Sequence, residues 1–369
     1  MEEILRFLDT VVDLRQEKKV CHKIKDIVIL VFFAMLSGAD EWTAYEIFGI
    51  EHESFLRKYL ELTNGIPSHD TIQRVFAIIP SESLQKLQIL WNDMINSSEG
   101  EKIRKLLAID GKTQRGNGNK NQKANHIISA VDEAGFCVGE KRVNEKSNEI
   151  TAIPDLLDSL NIKGNIITID AMGTQKEIAK KIRKKQADYV LALKGNQGSL
   201  YNDVKLYFKD KTLLSKCKYI KTTEKARGGI EKREYWQTDD ISWLSQKKEW
   251  LGFRSIAMTR NTIQKDRKVT CETRYFITSL PVNIELTALA IRKHWMVESY
   301  HWYLDVTFRE DSSRTPEKQA AYNQNILRKL ALNVLKLFEI GKKRLSVRMK
   351  RFSVSINPEK HLENIIALL

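Results

Sequence analysis

Two short apolar runs, each ending in an aspartate, constrain this chain more than any other feature of its sequence. Leu106-Leu107-Ala108-Ile109 runs into Asp110 and Gly111, and Ile166-Ile167-Thr168-Ile169 runs into Asp170 and Ala171. Apolar runs of this length, closed by a carboxylate and a small residue, have the profile of buried strands. Between them lie two more strand-like runs, His126–Asp132 and Phe136–Val143, joined by Glu133-Ala134-Gly135 as a hairpin turn, and a helix over Asn148–Leu160. After the second aspartate come a very basic helix, Thr174–Gln186, and a further strand, Asp188–Lys194. Strand, strand, strand, helix, strand, helix, strand is the order of a mixed α/β sheet that opens as a meander and continues by right-handed crossovers. In such a sheet the first strand sits beside the fourth, which brings Asp110 and Asp170 together.

The flanking regions have a different texture. Apolar spacing of three and four predicts helices over Val20–Leu36, Tyr45–Phe48, Ser54–Leu62 and Ser83–Ile95. Ser68 or Asp70 can cap a further helix, Thr71–Ile78, after the turn at Gly65-Ile66-Pro67. Arg74 on that helix leaves a helix–turn–helix reading open beside the plainer one of a packing unit. Residues 199–209 read as helix, and from Lys218 to Leu280 the chain alternates in short segments, a mostly β insertion at about 215–282. A long amphipathic helix is expected from Leu286 to Leu304 and another over Pro316–Ile340, before a basic cluster at Gly341–Arg351. The expected organisation is a helical N-terminal domain (1–98), an α/β domain (99–340) and a basic C-terminal tail (341–369).

Charge follows this division. The first 100 residues hold 10 Lys and Arg against 16 Asp and Glu, a balance of −6, within a chain whose net charge is +14, so the remainder carries +20. Such asymmetry suggests a polyanion partner for the later part. Basic residues follow both aspartates: Lys112, Arg115, Lys120 and Lys123 after the first, and Lys176, Lys180, Lys181, Arg183, Lys184 and Lys185 after the second. Lys342, Lys343, Arg344, Arg348, Lys350 and Arg351 form a third cluster, and the three together suggest a surface that follows phosphates. No apolar run reaches the ~18–20 residues of a membrane span; the longest, Ile27–Leu36, reads as a buried helix. Four dispersed cysteines (Cys21, Cys137, Cys217, Cys271) and an N-terminus without a basic start point to reduced thiols in a cytoplasmic protein.

Carboxylates at strand ends suit phosphodiester chemistry. Two divalent ions ~3.5–4 Å apart activate the attacking oxygen and stabilise the leaving one, and hard ions such as Mg²⁺ prefer oxygen donors. An aspartate ending a strand is commonly only a turn residue, so the pair carries the argument. Glu298, on the long helix, is the third candidate. His294, Glu298 and His301 share a helix face, which makes zinc a formal rival, but the HExxH order of a zinc-protease helix and any nearby cysteine are missing. Trp295 and Trp302 read as core or wall residues, with stacking on a displaced base left open.

At this point the motifs resemble the DDE transposases of the ISAs-type insertion sequences, which include the H-repeat-associated proteins. Gly65-Ile-Pro-Ser-His-Asp-Thr71 with Arg74-Val-Phe76 is similar to that family's helical region, Ala108-Ile-Asp-Gly-Lys112 to its first-aspartate motif, and Ile169-Asp-Ala171 with Gln175 to its second. Tyr189-Val-Leu-Ala-Leu-Lys-Gly-Asn-Gln197 resembles a specific family string, and the segment from His294 to Arg314 the one that bears the third acid. The resemblance runs nearly end to end.

It implies a ribonuclease-H-like catalytic core carrying the β insertion, Mg²⁺ with Mn²⁺ as substitute, and binding of the element's terminal inverted repeats and of target DNA. It also implies homo-oligomers that pair ends. Asp110, Asp170 and Glu298 carry over as catalytic, metal-holding acids; Lys112, Arg115, Lys194, Asn196, Gln197, Arg292 and Arg314 carry over as DNA-contact or site-support residues. Two places depart from the pattern. A Tyr, Arg, Glu, Lys signature of related enzymes appears here as Ile291, His294, Glu298 and Asp305, and an insertion motif His-Gly-Arg-x-Glu-x-Arg as Arg227-Gly228-Gly229-Ile-Glu231-Lys-Arg233. The expected function is an insertion-sequence transposase that hydrolyses DNA at element ends and transfers strands. The alternatives are a transposase-derived DNA-binding protein that does not cut and a metal-dependent DNA nuclease.

Overall fold

The computed structural model describes residues 2–96, 105–118, 122–144, 147–226, 229–266, 268–341 and 344–368. Lys120, Arg227, Gly228, Lys342 and Lys343, singled out above, lie outside the described residues, as does the expected boundary at residue 98.

The chain opens with helices α1 (Glu2–Asp9), α2 (Ile24–Leu36), α3 (Trp42–Glu51), α4 (Glu53–Leu56), α5 (His69–Ile78) and α6 (Ser81–Asn96). Every residue of α2 from Ile27 to Leu36 is buried, as a helix apolar on all sides requires. Of the two capping candidates it is Ser68 that accepts the Thr71 N–H and starts α5. Two helices are shorter than their apolar spacing suggests. Glu17–Lys19 is a separate 3-10 turn ahead of α2, and the helix expected to reach Leu62 stops at Leu56, with Leu62 itself at a left-handed φ of +42°.

The sheet then forms from β1 (Leu106–Thr113), β2 (His126–Asp132), β3 (Cys137–Arg142), β4 (Ile166–Ile169) and β5 (Asp188–Leu193). Helix α7 (Glu149–Ser159) crosses from β3 to β4 and α8 (Lys176–Lys184) from β4 to β5. At the β2–β3 hairpin Gly135 sits at φ +85°, while Asp132 Oδ1 accepts the N–H groups of Ala134 and Phe136 at 3.0 and 2.9 Å. After α9 (Gly198–Lys209) and α10 (Lys211–Lys216) come β6 (Lys218–Ala226), β7 (Gly229–Thr238), β8 (Ser255–Lys265) and β9 (Lys268–Thr278). The described strands make one nine-stranded sheet in the order β3-β2-β1-β4-β5-β9-β8-β7-β6. Only β1–β4 and β4–β5 are parallel. The inserted strands therefore do not stand apart: β9 joins β5 antiparallel, from Val190↔Thr278 to Leu193↔Tyr275, and extends the same sheet.

Helices α11 (Ile284–Lys293) and α12 (Trp295–Val306) replace the single long helix expected over Leu286–Leu304, with a turn at His294 between them. They are followed by α13 (Lys318–Leu337), α14 (Val347–Ile356) and α15 (Pro358–Leu368). The sheet's two faces divide the core, as strand alternation dictates. Leu107 and Ile109 face the layer of α7, α8 and α9, and Ala108 faces Val297, Tyr300 and Leu304 of α12. The helices of the first 96 residues share that second core with α13, α14 and α15.

The C-terminal residues also correct an expectation. Rather than a basic tail along phosphates, α14 and α15 bury Val347, Val354, Leu362 and Ile365 against the N-terminal helices. Lys350 and Arg351 are buried too, paired with Glu339 and Asp40, because a cation leaves water only for a partner of opposite charge.

Candidate active site

The site begins where β4 ends. Parallel pairing of β1 and β4 runs from Leu106↔Ile166 to Ile109↔Ile169 and stops, so Asp110 and Asp170 come next on adjacent strands. Asp110 does not end its strand: β1 continues to Thr113, paired only with β2 on the other side. Asp170 opens a tight loop in which its Oδ1 accepts the N–H groups of Met172 and Gly173 at 3.0 and 3.3 Å. That loop is braced from behind. Thr174 Oγ1 donates to the carbonyls of Asp170 and Ala192, Asn196 Nδ2 to Ala171 O at 2.8 Å, and Gln197 Nε2 to Thr174 O at 2.8 Å.

Glu298 projects from the first turn of α12, whose apolar side packs on β1 and β2. The turn before it is fixed by His294, whose Nδ1 lies 2.9 Å from Thr168 Oγ1 on β4. Asp110, Asp170 and Glu298 line one cavity of about 280 Å³, with Lys194, Arg233, Arg274, Arg292, Tyr235 and Trp295 on its other walls. The Arg274 guanidinium lies over the Trp295 ring, 4.7 Å from its centroid, a cation–π contact at the cavity wall.

Electrostatics mark this cavity as anionic on one side. Burial, with the nearby charges of Asp170, Glu149 and Glu298, pushes the Asp110 carboxyl up to about 7. Burial also raises Glu298, with Glu272 adding to the rise and Arg274 opposing it. His301, whose Nδ1 stands 3.7 Å from Asp110 Oδ2, is pushed down to about 3 by burial and by Lys329 and Lys112, so its ring is neutral. His294 is likewise lowered to about 4 by burial. The zinc set His294, Glu298 and His301 is not gathered: one ring turns to Thr168 and the other to Asp110.

Among the described residues no three His, Cys, Asp or Glu side chains already enclose a single point as a metal cage would. The donor set nonetheless fits a hard divalent ion. It is all carboxylate oxygen, it shares one cavity, and a cation there would offset the burial and the neighbouring acids that hold a proton on Asp110.

The remaining candidates separate into groups. Lys194 and Arg292 stand at the cavity. Asn196 and Gln197 hold the Asp170 loop instead of facing it. Arg115 and Arg314 flank a second hollow beside Asp311. Lys112 is almost enclosed, its ammonium 2.7, 2.8 and 3.2 Å from Asp305, Glu310 and Asp311. Of the basic helix α8, Lys176, Lys181 and Arg183 pair with Glu249, Asp158 and Asp188, and Lys185 donates to three carbonyls at the end of α7. These cations hold the helix to its neighbours. Motif reading missed Arg274 and Glu149 as neighbours of the acids, and placed His301 beside Glu298 without seeing that its ring turns to Asp110. Arg274 reaches the cavity only through the pairing of β9 with β5, which no local pattern announces.

The family model "Transposase DDE domain" matches residues 101–334, and the model "DDE_Tnp_1-associated" matches residues 5–92. The chain is 38% identical to "Putative transposase YncI" of Escherichia coli O157:H7, covering 100% of this chain and 95% of that protein. It is 37% identical to "H repeat-associated putative transposase YhhI" of Escherichia coli K12, covering 100% and 98% respectively. A 43% match to "Inactive transposase YbfQ" of the same strain covers 20% of this chain and 89% of that protein.

Proposed function

The chain belongs to the DDE transposase family, and from that premise we propose that it is the transposase of an insertion sequence, with Asp110, Asp170 and Glu298 as its catalytic acids. The observation that carries the assignment is the convergence of all three on one cavity, two of them at the open end of paired parallel strands. The order β3-β2-β1-β4-β5, a meander followed by two parallel strands, supports reading residues 105–193 as the heart of a ribonuclease-H-like core that the inserted strands enlarge.

Asp110, Asp170 and Glu298 would hold Mg²⁺, or Mn²⁺ in its place, which when bound supplies Lewis-acid activation of an attacking oxygen and charge neutralisation at the leaving one. For that role Asp110 must give up the proton that burial and its acidic neighbours hold on it. The braced loop keeps the Asp170 carboxylate fixed, and Lys194 and Arg292 are suited to the phosphates on either side of the reacting one. Water opens the phosphodiester at the element's end, and the freed 3′-hydroxyl attacks target DNA in a second in-line displacement at the same acids. Its partners in this reading are the terminal inverted repeats, the target DNA and a second copy of the chain that brings two ends together. No helix among the described residues is long and apolar enough to cross a membrane.

The test is cleavage by the full chain of DNA carrying the sequences that flank its gene. Mg²⁺ or Mn²⁺ should support cutting and Ca²⁺ only binding. Asp110→Asn, Asp170→Asn and Glu298→Gln should each abolish cutting in a folded protein, and near-normal cutting by any one removes that residue from the site. Binding without cutting by the wild type would make the chain a transposase-derived binder, and cutting without regard to end sequence would make it a nuclease.

A further inference from the structure

We propose that Lys112 is a positioning residue, and that its grip on Asp305 sets the helix of Glu298 against the strand of Asp110. The inference rests on the reading of Asp110, Asp170 and Glu298 as metal-holding acids.

Side chains two apart on a strand share a face, so Lys112 leaves β1 on the same side as Asp110. Residues seven apart on a helix also share a face, two turns and about 10 Å along the axis. Asp305 is so related to Glu298 on α12. The Lys112–Asp305 pair at 2.7 Å thus joins the first acid's strand to the third acid's helix by side chains that run parallel to the acids themselves.

The anchor is rigid. A lysine ammonium has three N–H donors. This one donates to Glu310 and Asp311 and sits in an ion pair with Asp305, and with its side chain only 11% exposed it is turned to these three carboxylates and not to a DNA phosphate. Glu310 is buried and held in turn by Asn325 of α13 and by Gln114. The other end of α12 is tied as well, through His294 and Thr168, two residues before Asp170. The helix bearing the third acid is therefore fastened at its start to the strand of the second and at its end to the strand of the first. Side chains that orient metal ligands from behind typically change metal affinity by about 10- to 100-fold when removed.

Asp305→Asn isolates this link, since Lys112 keeps Glu310 and Asp311 and the interior charges stay paired. The probe is Mn²⁺ alone, titrated into the full chain and followed by electron paramagnetic resonance. Asp305→Asn should raise the Mn²⁺ dissociation constant about tenfold without altering the melting temperature by more than a few degrees. In a Glu298→Gln background it should add nothing, because the link acts through Glu298. Asp305→Glu, which keeps the ion pair, should restore near-wild-type affinity and serves also if the asparagine variant folds poorly. Wild-type affinity in a folded Asp305→Asn protein, or a full tenfold loss persisting without Glu298, overturns the link while the metal site stands. Mn²⁺ affinity indifferent to Asp110→Asn overturns both.

Discussion

Lys329 and Glu140 form an ion pair deep under the sheet, their side chains 2% and 0% exposed. The Lys329 ammonium also donates to Ser129 Oγ at 2.8 Å, and Ser129 is the cross-strand partner of Asp110. The floor beside the first acid is thus held by a lysine from α13. A buried pair of this kind is worth little against an apolar replacement, but removing one partner leaves an uncompensated charge. Lys329→Met should therefore lower unfolding stability by about 3–5 kcal/mol in urea melts, with Lys329→Met/Glu140→Leu recovering much of the loss. A single variant as stable as the wild type would show that Glu140 finds water or another donor.

Asp110 titrates near 7 in the folded chain against an ordinary value of 3.8. Below the lower value both folded and unfolded forms carry the proton, and the residue has no effect on stability. As pH rises to about 7 the unfolded form ionises first, so stability falls; above that it stays at the lower level. Asp110→Asn, which stays neutral, should match the wild type near pH 4 and exceed it at pH 8. The excess is of the order of 1.4 kcal/mol for each unit by which the native value is raised. Adding Mg²⁺ at pH 8 should stabilise the wild type and not the variant. Urea melts across this range decide it, and equal stability at pH 8 would mean that burial and the neighbouring acids do not penalise the Asp110 charge.

Arg351 predicts a different failure. Its guanidinium meets the Asp40 carboxylate at 2.6 and 3.2 Å, donates to Met35 O and Ala39 O, and lies 4.3 Å over the Phe308 ring. One fork thereby joins α14 to the end of α2 and to the segment after α12. Lysine keeps the charge but not the fork or the stacking plane, so Arg351→Lys should still cost stability, and Arg351→Met about 3–5 kcal/mol. Limited proteolysis should then release α14 and α15 first. Resistance equal to the wild type would mean that their apolar faces alone hold them.

How much of this was legible in the sequence depends on how local each feature is. The adjacency of β1 and β4 followed from the order of elements, since a meander followed by a crossover leaves few other places for the fourth strand. The extension of the sheet by β9 did not, because its register with β5 is fixed by residues more than 80 positions apart, as in Leu193↔Tyr275. The break at His294 was hidden because apolar periodicity continues through it, and only the Thr168 hydroxyl explains where the ring goes. Lys112 and Asp305 were both visible inside motifs, yet nothing in either motif says that the two meet. Lys350 and Arg351 look like solvated charges when read as a run, and burial against Glu339 and Asp40 is a tertiary fact.

The last prediction concerns which cations meet DNA. A chain that carries +20 beyond residue 100 should bind duplex DNA with a log–log salt slope of about −0.9 per phosphate neutralised. Not every cation contributes. Lys194 and Arg292 open on the cavity, so Lys194→Ala and Arg292→Ala should each lower the slope by about one. Lys181 and Arg183, already paired with Asp158 and Asp188, should leave it unchanged when replaced by alanine. Arg74 is the case between: exposed on α5, it donates to Asp70 O and Thr71 Oγ1 of its own helix, within the acidic first hundred residues. Helix α5 shares its core with α13, so the proper test is the full chain and not an excised N-terminal piece. Arg74→Ala should leave both the slope and the footprint unaltered, as a packing role for these helices requires. A footprint that loses its preferred sequence, at the ~1–3 kcal/mol a base contact is worth, would instead make α5 a reading helix.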